Sequence, residues 1–232
     1  MKKDASIEFT SRMSRGETAA ALIYLPIHIL LLPLVVVFLL GARMDEIGLN
    51  LVVYAVGAVY MLIFERKFLR REFDTLRGNV LDSFVQILVC FGIMFGLNIL
   101  IGVILLAFGL DSNPNNNAII DFAGAKLGMT SAMAVFLAPI VEELIFRGGI
   151  FGLLRRCNRL LAYAVTILLF SVYHIWGSAM DDPAYLIYTV QYFGASYALC
   201  RCYERTNSIW AGIFLHMLYN GWAIKMLDFL GA

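Results

Sequence analysis

The stretch SAMAVFLAPIVEELIFRGGIFGLL, Ser131 to Leu154, decides which kind of fold this chain can adopt. As a helix it is long enough to cross a bilayer, which takes about 20 consecutive apolar residues. Its charged side chains are Glu142, Glu143 and Arg147. A charge at that depth in lipid costs on the order of a few kcal/mol unless another group compensates it. The stretch therefore predicts a membrane helix whose three charges need a structural or functional reason.

The composition agrees with a membrane protein. Of the 232 residues, 61% are hydrophobic and 15% are charged, and the mean hydropathy is +0.79. A soluble domain has about 45–50% apolar and about 25% charged residues. The net charge of +1 gives no indication of nucleic-acid binding. We expect no cleavable signal peptide, because Met1–Glu17 is polar and the first apolar run is as long as a full span.

The apolar runs predict an all-α bundle of about seven transmembrane helices, since an isolated strand would leave its backbone groups unpaired in lipid. We expect one transmembrane domain over residues 18–232, after a cytoplasmic segment of residues 1–17. The predicted spans are Thr18–Leu40, Gly48–Phe64, Asn79–Phe108, Leu127–Leu154, Leu160–Gly177, Ala184–Cys200 and Ser208–Leu230. The connection Gly109–Lys126 contains DSNPNNNA, which predicts an exposed, turn-forming loop.

Lysine and arginine residues alternate between rich and poor connections, which predicts the orientation of the chain. Two of the poor connections carry a single cation each, Arg43 and Lys126. The third, between the fifth and sixth spans, carries none. We expect a cytoplasmic N-terminus and, after seven spans, a C-terminus on the opposite side. We interpret the clusters as topology signals rather than as a lipid or substrate site. The rich connections contain Lys2, Lys3, Arg12 and Arg15; Arg66, Lys67, Arg70, Arg71 and Arg77; Arg155, Arg156 and Arg159; and Arg201 and Arg205.

The four cysteines do not predict a disulfide framework. Cys157 and Cys202 lie near the predicted cytoplasmic side, where disulfides are rare. The sequence CRC at Cys200–Cys202 lacks the second ligand pair of a structural zinc site.

Polar side chains at similar depth in three spans predict a common site. Glu143 and Arg147 are four residues apart and can pair, whereas Glu142 points about 100° away and has no such partner on its own helix. At about 1.5 Å per residue, Glu142 lies about 20 Å from Arg155, and His174 about 22 Å from Arg159.

The last span adds His216 and Asn220, which are one helical turn apart and lie about 16 and 22 Å from Arg205. Each of these polar groups is costly alone, but they can satisfy one another. His28, in the first span, is interpreted as a structural residue.

Three motifs carry a resemblance to a known family. EELIFR resembles the motif EExxxR, FSVYH resembles FxxxH and HMLYN resembles HxxxN of the CAAX-processing and bacteriocin-processing (CPBP, or Abi) intramembrane proteases. This family includes the type II CAAX prenyl endopeptidases. The motifs follow the family's order on the fourth, fifth and seventh spans, and the resemblance covers Met129 to Phe229.

The resemblance implies hydrolysis of a peptide bond inside the membrane. Glu142 in a low-dielectric pocket suits a general base that activates water. His174 would hold the same water and later donate a proton, and His216 and Asn220 would stabilise the oxyanion. Glu143, held by Arg147, would orient these groups rather than react.

The metal requirement is left open by the sequence. Members of the family have also been called metalloproteases, and Glu142, His174 and His216 form an adequate ligand set for zinc. We prefer a mechanism without a cofactor, because Asn220 is a poor zinc ligand and the motif HExxH is absent.

Two other classes of function use similar residues. A proton-coupled transporter also places carboxylates and histidines at the membrane midplane, but the chain shows no repeated halves. A catalytically idle scaffold or immunity protein is the other alternative. We expect an integral protein of a bacterial plasma membrane that acts on a membrane-associated peptide or a lipidated protein; the sequence does not decide between a prenylated substrate and a bacterial peptide precursor.

Overall fold

The computed structural model describes residues 8–110 and 113–230, apart from the side chains at positions 228 and 230. Within these residues the chain is all-helical and contains no strand, so the predicted fold class is confirmed. Lys2 and Lys3, together with Asp111 and Ser112 of the asparagine-rich connection, lie outside the described residues.

The described chain contains eight α-helices and one 3-10 helix. Two of the α-helices include π-helical turns: Arg15–Leu40 at Ile27–Leu31, and Pro114–Leu154 at Ala132–Leu137 and Glu143–Phe151. The helices are α1 (Arg15–Leu40), α2 (Glu46–Phe64), α3 (Arg66–Gly78), α4 (Val80–Ala107), α5 (Pro114–Leu154), α6 (Arg159–Asp181), the 3-10 helix Pro183–Tyr192, α7 (Phe193–Thr206) and α8 (Ile209–Leu230).

Side-chain caps explain where several helices begin. Ser14 forms a capping box with Glu17 at the start of α1, because a hydroxyl and a carboxylate together satisfy free backbone N–H groups. The side chains of Asp45 and Asn158 accept backbone N–H groups at the starts of α2 and α6. These polar residues therefore set the helix ends within a mainly apolar chain.

Within the part of the chain that the structure describes, five helices are long and apolar enough to cross a membrane, judged by length and composition: α1, α2, α4, α5 and α6. They correspond to the first five predicted spans. These apolar helices agree with an integral membrane protein.

The last two predicted spans are also helical, but with different features. Residues 184–192 belong to the 3-10 helix, and α7 then continues to Thr206, six residues beyond the predicted end at Cys200. Helix α8 agrees closely with the predicted span Ser208–Leu230, and its sequence contains the polar residues His216, Asn220 and Lys225.

The expectation of an exposed loop over Gly109–Lys126 was wrong from Pro114 onward. Helix α5 begins at Pro114, and the buried side chain of Asn113 caps it by accepting the backbone N–H groups of Asn115 and Asn116. The backbone of Lys126 is not helical, with φ −149° and ψ 68°. This kink immediately precedes the predicted start of the fourth span at Leu127, so α5 consists of two arms.

Arginine–carboxylate pairs gather the basic residues at one end of the bundle. Arg155 and Arg159 both bind Glu204 of α7, with N–O distances of 2.7 and 2.8 Å. Arg71 of α3 binds Glu17 of α1 at 2.8 Å. We call this end, which contains Arg71, Arg155, Arg156, Arg159 and Glu204, the basic end.

Candidate functional site

Glu142 lies in the middle of α5 with 4% of its surface exposed. The hydroxyl of Tyr54, from α2, donates to its Oε1 atom at 3.2 Å. Its Oε2 atom faces Nε2 of His174 at 3.7 Å and Nε2 of His216 at 3.9 Å. The carboxylate therefore has its direct hydrogen-bond donor on a different helix, and two imidazole rings converge on its other oxygen.

The other ring nitrogen of each histidine is held by an acceptor. Nδ1 of His174 lies 2.8 Å from the carbonyl oxygen of Phe170, and Nδ1 of His216 lies 2.8 Å from Oε1 of Glu143. Because a carbonyl and a carboxylate only accept, both Nδ1 atoms carry the proton. In a neutral ring, Nε2 then presents a lone pair towards Glu142. Distances of 3.7–3.9 Å are too long for direct hydrogen bonds and leave these groups arranged around a point where a small polar molecule can bind.

Glu143 and Arg147 form a fully buried ion pair next to this point, with 3.0 Å between Glu143 Oε1 and Arg147 Nη1. Arg147 also donates to Ser196 Oγ at 3.1 Å, and its guanidinium lies 4.1 Å from the centre of the Phe170 ring. The pair is thus surrounded by polar and aromatic partners that offset its desolvation. Through Glu143 it also fixes the orientation of His216.

Asn220 is attached to α5 by a hydrogen bond. Its Nδ2 atom donates to the carbonyl oxygen of Ala134 at 2.8 Å. Ala134 belongs to the π-helical turn Ala132–Leu137, and such turns are frequent at functional sites. The second N–H group and the oxygen of the amide are not used in this bond, so Asn220 keeps a donor for another group.

One cavity of about 510 Å³ brings the predicted residues together. Glu142, His174, His216 and Asn220 all line it. The remaining wall is largely apolar and includes Phe170, Met133 and Trp222. Glu143 and Arg147 lie behind this wall.

Several residues of the site were missed by the sequence reasoning. Tyr54 contacts Glu142 directly, and Tyr173 lies 2.8 Å from Tyr54, hydroxyl to hydroxyl. The ring of Tyr192 stacks on His174 with 4.5 Å between centroids. His28 packs between Tyr24 and Tyr54, and its structural role stays a prediction. In the sequence, the sign that these tyrosines belong to the site was a hydroxyl group within an apolar span. This sign is weak, because the tyrosine ring is compatible with an apolar helix.

The spacing of the site does not fit tetrahedral zinc. Ligand atoms 2.0–2.2 Å from a tetrahedral ion lie about 3.4 Å from each other. The nitrogen–oxygen distances of 3.7 and 3.9 Å at Glu142 are wider. Among the described residues, no group of three or more His, Cys, Asp or Glu side chains is spaced to hold a metal ion. No step proposed below passes through a metal.

Comparison with known proteins gives the same family as the three motifs. Residues 125–222 match the family described as "Type II CAAX prenyl endopeptidase Rce1-like". The match contains all six predicted site residues, from Glu142 to Asn220. It confirms the resemblance to the CPBP proteases and supports a membrane protease in general.

The chain is also 31% identical over 121 residues to the "Putative membrane peptidase YdiL" of Bacillus subtilis (strain 168). The aligned region is 51% of this chain and 46% of that relative, so the chain spans about half the length of the curated relative it matches. No solved structure matches the chain significantly.

Proposed function

We propose that this protein is an intramembrane endopeptidase in which Glu142 activates a water molecule. The observation that carries the proposal is the convergence of one carboxylate, two histidine Nε2 atoms and the Asn220 amide on one buried cavity. The family match supports it, because every one of these residues lies in the matched region.

The first step is proton removal from water. A water bound between Glu142 Oε2 and the histidines can donate one hydrogen to the carboxylate and the other to a histidine Nε2. Glu142 takes the first proton while the hydroxide oxygen bonds to the carbonyl carbon of the substrate. A base in a water-poor cavity needs such fixed partners, because bulk solvent does not stabilise the charges.

The second step is collapse of the tetrahedral intermediate. Asn220 offers its free N–H group to the oxyanion. His216 can donate from Nε2 only after that nitrogen has taken the proton that Glu142 removed from water. Glu143 accepts from Nδ1 of His216 and so holds the ring with Nε2 directed at the cavity. The proton that Glu142 took from water then passes to the leaving nitrogen, directly or through a histidine Nε2. This transfer allows the C–N bond to break and returns Glu142 to its starting state.

The same proposal includes the setting of the enzyme. The preferred mechanism has no resident metal, the membrane is a bacterial plasma membrane and the substrate is a membrane-associated peptide or lipidated protein. Residues 1–17 form the cytoplasmic segment and residues 18–232 the transmembrane domain.

The test compares membrane peptides by mass spectrometry in cells that express the native protein or Glu142→Gln. Glutamine has nearly the same shape but cannot take the proton, so the variant should accumulate an uncleaved peptide that the native protein removes. Equal peptide profiles, with both proteins present in the membrane, would contradict the proposal. With the purified enzyme, cleavage of that peptide should persist in a metal chelator. Loss on chelation with recovery on added zinc would instead support a metalloprotease.

A further inference from the structure

The asparagine-rich start of α5 contacts the end of the 3-10 helix. Tyr192 is the last residue of that helix, and its hydroxyl accepts a hydrogen bond from Nδ2 of Asn115 at 3.0 Å. The hydroxyl also lies 3.4 Å from Oδ1 of Asn113 and 3.4 Å from Oδ1 of Asn116, to either of which it can donate. Nδ2 of Asn113 donates to Oε1 of Gln191, the residue before Tyr192, at 2.6 Å. We call Asn113, Asn115 and Asn116 the asparagine cluster.

Asn113 joins this cluster to the backbone of α5. Its side chain is buried, and its Oδ1 atom accepts the backbone N–H groups of Asn115 and Asn116 where the helix begins. Because its Nδ2 atom binds Gln191, one side chain both caps α5 and fixes the end of the 3-10 helix. The hydroxyl of Tyr192 is therefore held against an ordered helix start.

The ring of Tyr192 covers one face of His174. The two ring centroids are 4.5 Å apart, and the planes are inclined by 25°. The ring of Phe170 lies 4.4 Å from the same imidazole, and the Phe170 carbonyl oxygen accepts from Nδ1. The ring torsion of a histidine is broad and roughly two-fold, so the contacts of the ring decide which way Nε2 points. The Tyr192 ring thus favours the orientation in which Nε2 faces Glu142.

The 3-10 helix is a weak support for Tyr192 by itself. It runs over ten residues, Pro183–Tyr192. Runs longer than about three or four residues are uncommon, because the hydrogen-bond geometry is poorer than in an α-helix. The last residue of such an element needs side-chain partners to fix it, and the asparagine cluster supplies them at the hydroxyl of Tyr192.

We propose that Tyr192 is a positioning residue for the reaction and that the asparagine cluster acts on His174 through it. The cluster holds the hydroxyl, the ring holds the imidazole, and Nε2 of His174 is kept towards the water site beside Glu142. This gives the sequence NPNN, Asn113–Asn116, a role in the site as well as in starting α5. The effect on turnover rests on the proposed function, whereas the orientation of His174 does not.

NMR of protein with ¹⁵N-labelled histidine tests the orientation without any assay of cleavage. The chain has three histidines, and the His174 resonances are identified by their absence in His174→Gln. The Nδ1 proton of native His174 should give a sharp signal, because its hydrogen bond to Phe170 slows exchange with water. Tyr192→Ala should shift and broaden this signal, and Asn115→Ala should shift it in the same direction by less.

The matched control is Tyr185→Phe. Tyr185 lies on the same 3-10 helix, and its ring packs on Tyr188 with 6.3 Å between centroids. This variant should leave the His174 resonances as they are in the native protein. Unchanged His174 resonances in Tyr192→Ala would overturn the proposal. If Tyr192→Ala does not fold, Asn115→Ala decides in the same way.

Kinetics separate positioning from a purely structural role. With the peptide found by the mass-spectrometric comparison, Tyr192→Phe and Asn115→Ala should each lower kcat about fivefold at similar KM, as expected for the loss of one hydrogen bond between neutral groups. Asn115→Ala should cause no further loss in a Tyr192→Phe background, because both changes remove the same hydrogen bond. Tyr192→Ala also loses the ring contact and should lower kcat about 10²-fold, because a small misplacement of a reacting group is costly.

Three kinetic outcomes would overturn the proposal. A raised KM with native kcat would make Tyr192 a substrate contact. A lowered melting temperature with native kcat would make the cluster a structural element alone. Additive losses in the double variant would mean that Asn115 does not act through Tyr192. If the native protein cleaves no peptide, the proposed function fails, and the NMR comparison still decides whether Tyr192 positions His174.

Discussion

Tyr54→Phe removes the hydrogen bond to Glu142 and leaves the ring in place. The hydroxyl donates to Glu142 Oε1 at 3.2 Å, and the second oxygen of the carboxylate has the two histidines beyond hydrogen-bond distance. Among the described residues, Tyr54 is therefore the side chain that donates a hydrogen bond directly to this carboxylate. Because donation favours the ionised form, its loss makes Glu142 a carboxylate only at higher pH.

The size of the effect follows from the geometry. A hydrogen bond to a charged group contributes about 1.5–3 kcal/mol, and 3.2 Å is at the long end of the range, so we take about 1.5 kcal/mol. A free-energy difference of about 1.36 kcal/mol corresponds to one pH unit of titration. The acidic limb of the pH profile of kcat/KM should therefore move up by about one pH unit. Below that limb, activity should fall about tenfold; well above it, activity should be close to native.

The assay is cleavage of the identified peptide by purified protein between pH 5 and 9. Tyr60→Phe is the matched control, because Tyr60 lies on the same helix and donates to the backbone oxygen of Ala20 at 3.3 Å. It should leave the profile unchanged. Tyr173→Phe should shift the profile less than Tyr54→Phe, because Tyr173 reaches Glu142 only through Tyr54. If the acidic limb of the pH profile does not move in Tyr54→Phe, the assignment of Glu142 as the base positioned by Tyr54 is refuted.

Three further variants test other parts of the structure. Asn220→Ala should lower kcat about 10²–10³-fold with little change in KM, measured with the identified peptide, if it donates to the oxyanion; an equal loss in KM would indicate a binding role instead. Glu143→Gln should lower the free energy of unfolding by about 3–5 kcal/mol in denaturation experiments, because Arg147 stays charged in the core, and adding Arg147→Met should restore stability but not activity. Burial raises the pKa of Glu65, just beyond α2, to about 8. The folded state therefore holds a proton that the unfolded state loses above about pH 4.5. As a result, the free energy of unfolding falls as the pH rises from about 4.5 towards 8. Glu65→Gln should therefore raise the melting temperature at pH 8 and change it little at pH 4; an equal change at both would contradict this.

The site was predictable where polarity stands out against apolar sequence. Glu142, His174, His216 and Asn220 are costly in lipid, and the common depth of their helices predicted that they meet. Tyr54 was not predictable in this way, because a tyrosine is compatible with an apolar helix and its partner depends on how α2 packs on α5. The same holds for Ser196, Phe170 and Tyr192, whose contacts arise only when the helices are assembled.

The errors in the fold have local causes. Pro114 after Asn113 was interpreted as a turn, although Pro at the first position after an Asn cap is also a helix-start signal. The apolar composition of residues 184–192 predicted a membrane helix, but composition does not distinguish an α-helix from the tighter 3-10 helix. The π-helical turns of α5 are a further feature that hydrophobic periodicity does not reveal.

The three charges in Ser131–Leu154 have different roles because of how they are paired. Glu143 and Arg147 neutralise each other, and no part of either side chain is exposed. Glu142 has a neutral donor in Tyr54 and two histidines that are held by other acceptors, so its negative charge is not cancelled by a fixed cation. Such a carboxylate gains from binding a proton or a water molecule, which is the property that a general base needs. An arginine placed against Glu142 would cancel this charge and remove that property.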